Sequence, residues 1–191
     1  MTIIGLDLAG VESRPTGFCI LDKMRVKTQL VYKDKEMIKK IVKLNPKVIA
    51  IDAPLSLPKG RKSIEERTDV HLRECDRELL RRHIKFFPIT LGPMRALTKR
   101  GIKLKKLLEK NFKVIEVYPG GAQDVLKIPR KQKGLNKLRK GLEKLGIKGL
   151  NENMSDHELD AVTCAIVGKM FLEKRAETIG DPENGIVMPK D

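Results

Sequence analysis

Ile3-Ile4-Gly5-Leu6-Asp7-Leu8-Ala9 is an apolar run broken by a single carboxylate. A continuous apolar stretch of this length, closed by Gly10, reads as a strand buried on both faces. A carboxylate inside such a strand is costly unless it is paired, hydrogen-bonded or bound to a cation. Asp7 is therefore the first candidate functional residue. Two more apolar runs repeat the pattern: Val48-Ile49-Ala50-Ile51 ends in Asp52-Ala53-Pro54, and Val114-Ile115-Glu116-Val117-Tyr118 encloses Glu116. In α/β sheets, functional groups gather beyond the carboxyl ends of the strands. Adjacent strands lie about 5 Å apart, so acids at matched heights would form one cluster. Such a cluster cannot ionise fully at neutral pH without cations, and hard divalent ions with oxygen ligands meet that need.

Around these runs the pattern alternates. Residues 17–21 and 25–32 suggest a β-hairpin turning at Asp22-Lys23. Met37, Ile38, Ile41, Val42 and Leu44 recur at helical spacing over residues 34–44, and Asn45-Pro46 stops that helix. A long charged helix is predicted over residues 64–83, then a punctuated loop at 87–93 and a basic helix at 94–110. Pro119-Gly120-Gly121 closes the third buried strand, and basic helical pieces fill 122–146. A last helix is predicted over 156–177, and residues 185–189 read as an edge strand. An opening meander followed by alternating strands and helices predicts an α/β sheet covered on both faces. The expected organisation is one domain over residues 1–191, with basic helical elaborations at about 94–112 and 122–148.

The last helix supplies further acids. Ser155-x-x-Glu158 is a capping box that fixes the helix start. Leu159, Val162, Ile166 and Met170 form its core stripe, and Ala161, Cys164 and Gly168 a small-residue strip that permits close approach to a sheet. Asp156 and Asp160 share one face, with His157 beside Asp160. Asp156 has an ordinary role in the first turn, where acids complement the helix dipole. Asp160 lies deeper and is the better ligand candidate. His157 is either an auxiliary proton-carrying group or a structural one.

The 191 residues carry a net charge of +15, unevenly placed. Residues 95–148 hold 17 basic against 4 acidic residues, whereas residues 149–191 hold 4 against 9. Concentrated positive charge attracts a polyanion, most often nucleic acid. Lys99, Arg100, Lys103, Lys105, Lys106, Arg130, Lys131, Lys133, Arg139 and Lys140 are the candidate phosphate contacts. Aromatic residues make up only 4%, which disfavours a base-stacking single-strand binder and favours contact with the backbone of a duplex or structured nucleic acid. The absence of Trp and the abundance of Lys, Glu and Ile have a thermophilic character. No apolar run approaches the roughly 18 residues that span a bilayer. Cys19, Cys75 and Cys164 are odd in number and widely spaced, so a reducing cytoplasm is expected rather than a disulfide framework. The sequence leaves the oligomeric state open, a homodimer included.

Taken together, Gly5-Leu-Asp-Leu-Ala-Gly10, Asp52-Ala-Pro54, Glu116-Val-Tyr-Pro119 and His157-Glu-Leu-Asp-Ala161 resemble a family of predicted RNase H-fold nucleases within the RNase H-like superfamily. Arg73-x-x-Asp76-Arg77 resembles that family's central helix. The resemblance implies a mixed sheet, antiparallel in its opening meander and parallel thereafter, with helices on both faces. It also implies phosphodiester hydrolysis with two Mg²⁺ or Mn²⁺ ions, Asp7 bridging both and Asp52 and Asp160 each holding one. Glu116 lies on the strand after the fourth, outside the minimal RNase H set, and is carried as a fourth catalytic and metal-binding candidate. Two rivals stand beside this reading. One is a phosphotransferase related to actin-like and sugar-kinase proteins, for which the chain is short and lacks a Gly-rich phosphate loop. The other is a non-catalytic nucleic-acid-binding protein that retains the fold.

Overall fold

The run that contains Asp7 forms β1 (Thr2–Asp7), and it lies inside the sheet because both its faces are apolar. The computed structural model describes residues 1–190. β1 pairs antiparallel with β2 (Thr16–Asp22), which pairs antiparallel with β3 (Arg25–Val31); Lys23, at φ 55°, makes the left-handed turn between them. On its other side β1 pairs parallel with β4 (Val48–Asp52), and β4 pairs parallel with β5 (Val114–Val117). β7 (Ile186–Pro189) adds parallel to β5, and β6 (Ala176–Ile179) closes the edge antiparallel to β7. The order β3-β2-β1-β4-β5-β7-β6 is the mixed sheet expected of the sequence, antiparallel in its opening meander and parallel from β1 through β7.

Strand alternation divides the core into two layers. Ile4, Leu6, Ile49 and Ile51 point to one face, where Met37 and Ile41 of α1 (Asp34–Leu44) and Leu104 and Leu108 of α3 (Gly92–Leu108) cover them. Ile3, Val48, Ala50 and Ile115 point to the other, against α6 (Asp156–Leu172). α4 (Pro119–Val125) and α5 (Leu135–Lys144) complete that layer through Ala122, Leu138 and Leu142. Contact between α6 and the sheet depends on glycine. A Cβ on Gly5 would stand 2.0 Å from the Ala161 carbonyl oxygen, and one on Gly17 would stand 2.0 Å from that of His157. These two positions bring the first turns of α6 down onto the ends of β1 and β2. The capping box expected at Ser155 and Glu158 is formed and fixes the register of α6.

Three expectations are corrected. The long helix predicted over 64–83 is only α2 (Glu74–Arg81). Residues 64–72 are irregular because the buried Arg61 guanidinium donates to the carbonyls of Ser63, Ile64, Glu66 and Val70, replacing a helix ladder. The last helix ends at Leu172, before a left-handed Lys174, and residues 176–179 turn back as β6. The 185–189 segment is consequently an interior strand, β7, and β6 is the edge. Pro119-Gly120-Gly121, which closes β5 as expected, is the first turn of α4, with Pro119 in its first position.

Candidate active site

β1 and β4 are parallel neighbours, and Asp7 and Asp52 are register partners at their carboxyl ends. Equal height and equal parity put both carboxylates on the face that α6 covers. α6 then delivers Asp160 and, one turn earlier, His157 to the same place. The His157 Nδ1 lies 2.6 Å from Asp7 Oδ2; with Asp7 ionised, Nδ1–H donates. Asp160 Oδ1 accepts from Gln123 Nε2 at 2.8 Å, and its Oδ2 meets Lys131 Nζ at 2.8 Å. Lys131 also reaches Asp156 Oδ2 at 3.2 Å. Asp52, half-buried between Asp7 and Asp160, is met by no donor among the described residues. Sequence reasoning thus located three aspartates that do share one face, and Asp156 and His157 at its rim. It did not foresee Gln123, which is buried on α4 and also donates to Thr163. The only signal was a polar residue among small ones.

Burial, then the charges of Asp7 and Asp160, raise Asp52 well above the ordinary carboxylate range. Burial raises Asp160 as well, against the pull of Lys131. The hydrogen bond to Asp7 raises His157. Burial works the other way at Asp156, but His157 and Lys131 hold it below its usual range. A group with a raised folded-state value keeps a proton that the unfolded chain releases, so its stabilisation at acid pH is lost as pH climbs. For Asp52 and Asp160 that loss begins near the ordinary carboxylate range, about pH 4, and for His157 near about pH 6.5. Asp52→Asn should therefore melt above the unaltered protein at about pH 7.5, by about 1 kcal/mol or a few degrees, and the gap should shrink at about pH 4.5. Paired thermal melts at the two pH values check this; a variant that melts lower at neutral pH contradicts it.

Glu116 does not join the cluster. It is the register partner of Ile51, not of Asp52, so it faces the opposite side of the sheet. Its Oε2 accepts from the Leu55 amide at 2.7 Å and from Arg73 Nη1 at 2.8 Å. Arg73 is itself held by Asp76 and caps α2. Burial raises Glu116, and Arg73 opposes that rise. Its role is that of a buried ion-pair partner, and the expectation of a metal ligand at Glu116 is withdrawn.

The basic residues divide in the same way. Arg100 is buried; it donates to the carbonyls of Ala9 and Tyr32 and pairs with Asp34 at 2.8 Å, so it clips α3 to the start of α1 and is not available to a phosphate. Lys131 belongs to the acidic site. Lys99 pairs with Glu65, Arg130 with Asp124, and Arg139 with Glu143 and Glu152. Lys103, Lys106, Lys133 and Lys140 are exposed and are the candidates left free for a polyanion.

The groups beside Asp52 are the carboxylate oxygens of Asp7 and Asp160, the ligand chemistry that hard divalent ions take. A carboxyl with no hydrogen-bond partner, Asp52 beside two other aspartates, fits such an ion in kind. Among the described residues, however, no three His, Cys, Asp or Glu side chains converge closely enough to hold one ion together. Lys131 supplies positive charge there instead, and His157 a hydrogen bond. The three cysteines are buried and unpaired, and no described helix is long and apolar enough to cross a membrane.

Comparison with known proteins adds a family and a likeness. A family model described as "Protein of unknown function (DUF429)" matches residues 5–184. Among solved structures, RuvC of Thermus thermophilus is similar at 11% identity and a TM-score of 0.49, over 91% of this chain and 96% of that one. No curated protein matches.

Proposed function

The chain belongs to the DUF429 family, and from that premise and the site geometry we propose that it is a divalent-metal-dependent nuclease hydrolysing phosphodiester bonds of nucleic acid. The observation that carries this reading is the register pairing of Asp7 with Asp52, joined on one sheet face by Asp160. Mg²⁺ or Mn²⁺ would be held by these aspartates once drawn closer than they stand in the ion-free chain, and when bound would supply water activation and charge stabilisation at the phosphate. The chain's own residues do the positioning. His157 orients the Asp7 carboxylate through its 2.6 Å hydrogen bond, and Gln123 fixes Asp160. Exposed Lys103, Lys106, Lys133 and Lys140 hold the phosphate backbone. The test is cleavage of labelled DNA, RNA, hybrid and junction substrates with Mg²⁺ or Mn²⁺, beside an Asp7→Asn control. No cleavage of any substrate, or undiminished cleavage by the variant, removes the reading.

Nucleic-acid affinity should fall steeply with salt, by about 10³-fold between about 50 and 200 mM if six phosphates are neutralised. Lys133→Ala and Lys140→Ala should each lower the slope of log affinity against log salt by about 1, whereas Arg100→Ala should leave it unchanged and lower the melting temperature. Filter binding across a salt series reads the slopes, and a flat response in the unaltered protein defeats the assignment. A non-catalytic nucleic-acid-binding reading draws on one observation, the ammonium of Lys131 that already neutralises Asp160. Mn²⁺ titration separates the two, since a degenerate site binds no divalent ion.

A further inference from the structure

Lys131 is the one basic residue of the 95–148 region turned onto the acidic cluster. Its ammonium lies 2.8 Å from Asp160 Oδ2 and 3.2 Å from Asp156 Oδ2. The geometry at Asp160 is specific. Each oxygen has one partner, Oδ1 Gln123 Nε2 at 2.8 Å and Oδ2 Lys131, and of the two only Lys131 carries a charge that repels an incoming cation at its oxygen. Two cations cannot share that oxygen without strong repulsion.

We propose that Lys131 is an exchangeable internal counter-ion: it holds the site closed in ion-free protein, and a divalent ion must displace it to reach Asp160. This rests on the metal-dependent reading above and names the residue that sets the site's affinity. Three features make Lys131 displaceable. Its side chain is 32% exposed, so an exit path to solvent exists. It sits in the short 3-10 turn Lys131–Lys133, between α4 and α5. Lys127 at φ 55° and Gly134 at φ 116° bracket that turn with left-handed backbone, free of any strand ladder. An ammonium is also a point charge on a flexible stem, with no forked pairing to lose. Arg73, locked between Asp76 and Glu116 at 6% exposure, shows how this chain builds an ion pair that stays in place. Once released, Lys131 adds positive charge beside Lys133, on the side a phosphate backbone would approach.

The experiment is Mn²⁺ titration by calorimetry on the unaltered protein, Lys131→Met and Lys131→Gln, without nucleic acid. Losing one charge-assisted hydrogen bond as a competitor predicts binding about ten- to a hundredfold tighter in both variants. Both should also melt below the unaltered protein in ion-free buffer and draw level with it at saturating Mn²⁺. Equal or weaker Mn²⁺ affinity in the variants overturns the role of Lys131 and leaves the metal-dependent reading standing. No Mn²⁺ binding by any of the three proteins overturns both. Binding by the variants alone makes Lys131 a permanent occupant of the ion's place, which overturns its exchange and favours the non-catalytic reading.

Discussion

Asp7→Asn should lower divalent-dependent cleavage by about 10³-fold or more, a loss of about 4 kcal/mol of transition-state stabilisation. The chemical change is minimal. Asn keeps the size of the side chain and an oxygen that His157 can still reach, so geometry is retained while one negative charge disappears from beside Asp52 and Asp160. A divalent ion loses an anionic ligand, and the positioned carboxylate that polarises water is gone. The fold should not suffer, because Asp7 raises both Asp52 and Asp160 by charge repulsion and its neutral replacement relieves that. Single-turnover cleavage of the best substrate with Mn²⁺ reads the effect, and a thermal melt checks the fold. A loss under about tenfold in folded protein would show that Asp7 is not part of the chemistry. The expected combination of lost activity with equal or higher stability is the mark of a site whose charges are arranged for function rather than folding.

The aspartate face was legible in sequence because each acid ends or interrupts an otherwise apolar run. The register that pairs Asp7 with Asp52 follows from two strands of nearly equal length. Asp160 was legible from the capping box, which sets the helix phase. Glu116 was misplaced for a reason the sequence hides. It stands one residue before the end of β5, whereas Asp52 stands at the end of β4, and a shift of one residue moves a side chain to the other face. The partners of charged residues were equally hidden. Arg100 and Asp34 are 66 residues apart in the chain, and Arg73 and Glu116 are 43 apart, so no local pattern pairs them. Arg61 defeated the helix prediction similarly, because a charged stretch with helical composition gives no sign that one guanidinium will take its carbonyls. Local charge density did point to the right region for Lys131, but not to its direction, which depends on how α4 and α5 pack against α6.

Arg73→Ala should be the most destabilising single change in this part of the molecule, costing about 3–5 kcal/mol. Arg73 ties α2 to β5: its Nε and Nη2 hold both oxygens of Asp76, and its Nη1 holds Glu116. All three side chains are buried, so truncating the arginine strands two carboxylates away from water. For a chain of this size the loss corresponds to a melting temperature lower by about 10 °C. Arg73→Met with Glu116→Gln should recover part of the loss, because the second change removes one of the stranded charges. The pair also decides the role of Glu116 independently of any cleavage assay. As the arginine's partner on the far face of the sheet, Glu116→Gln should lower stability and leave Mn²⁺ affinity within about twofold, whereas Asp52→Asn should raise stability and abolish binding. Urea unfolding of the four variants and Mn²⁺ titration of the two single carboxylate changes give both readings. Lost Mn²⁺ binding in a folded Glu116→Gln protein would restore Glu116 to the ion site, and a cost under about 1 kcal/mol for Arg73→Ala would show that water, not Arg73, solvates the two acids.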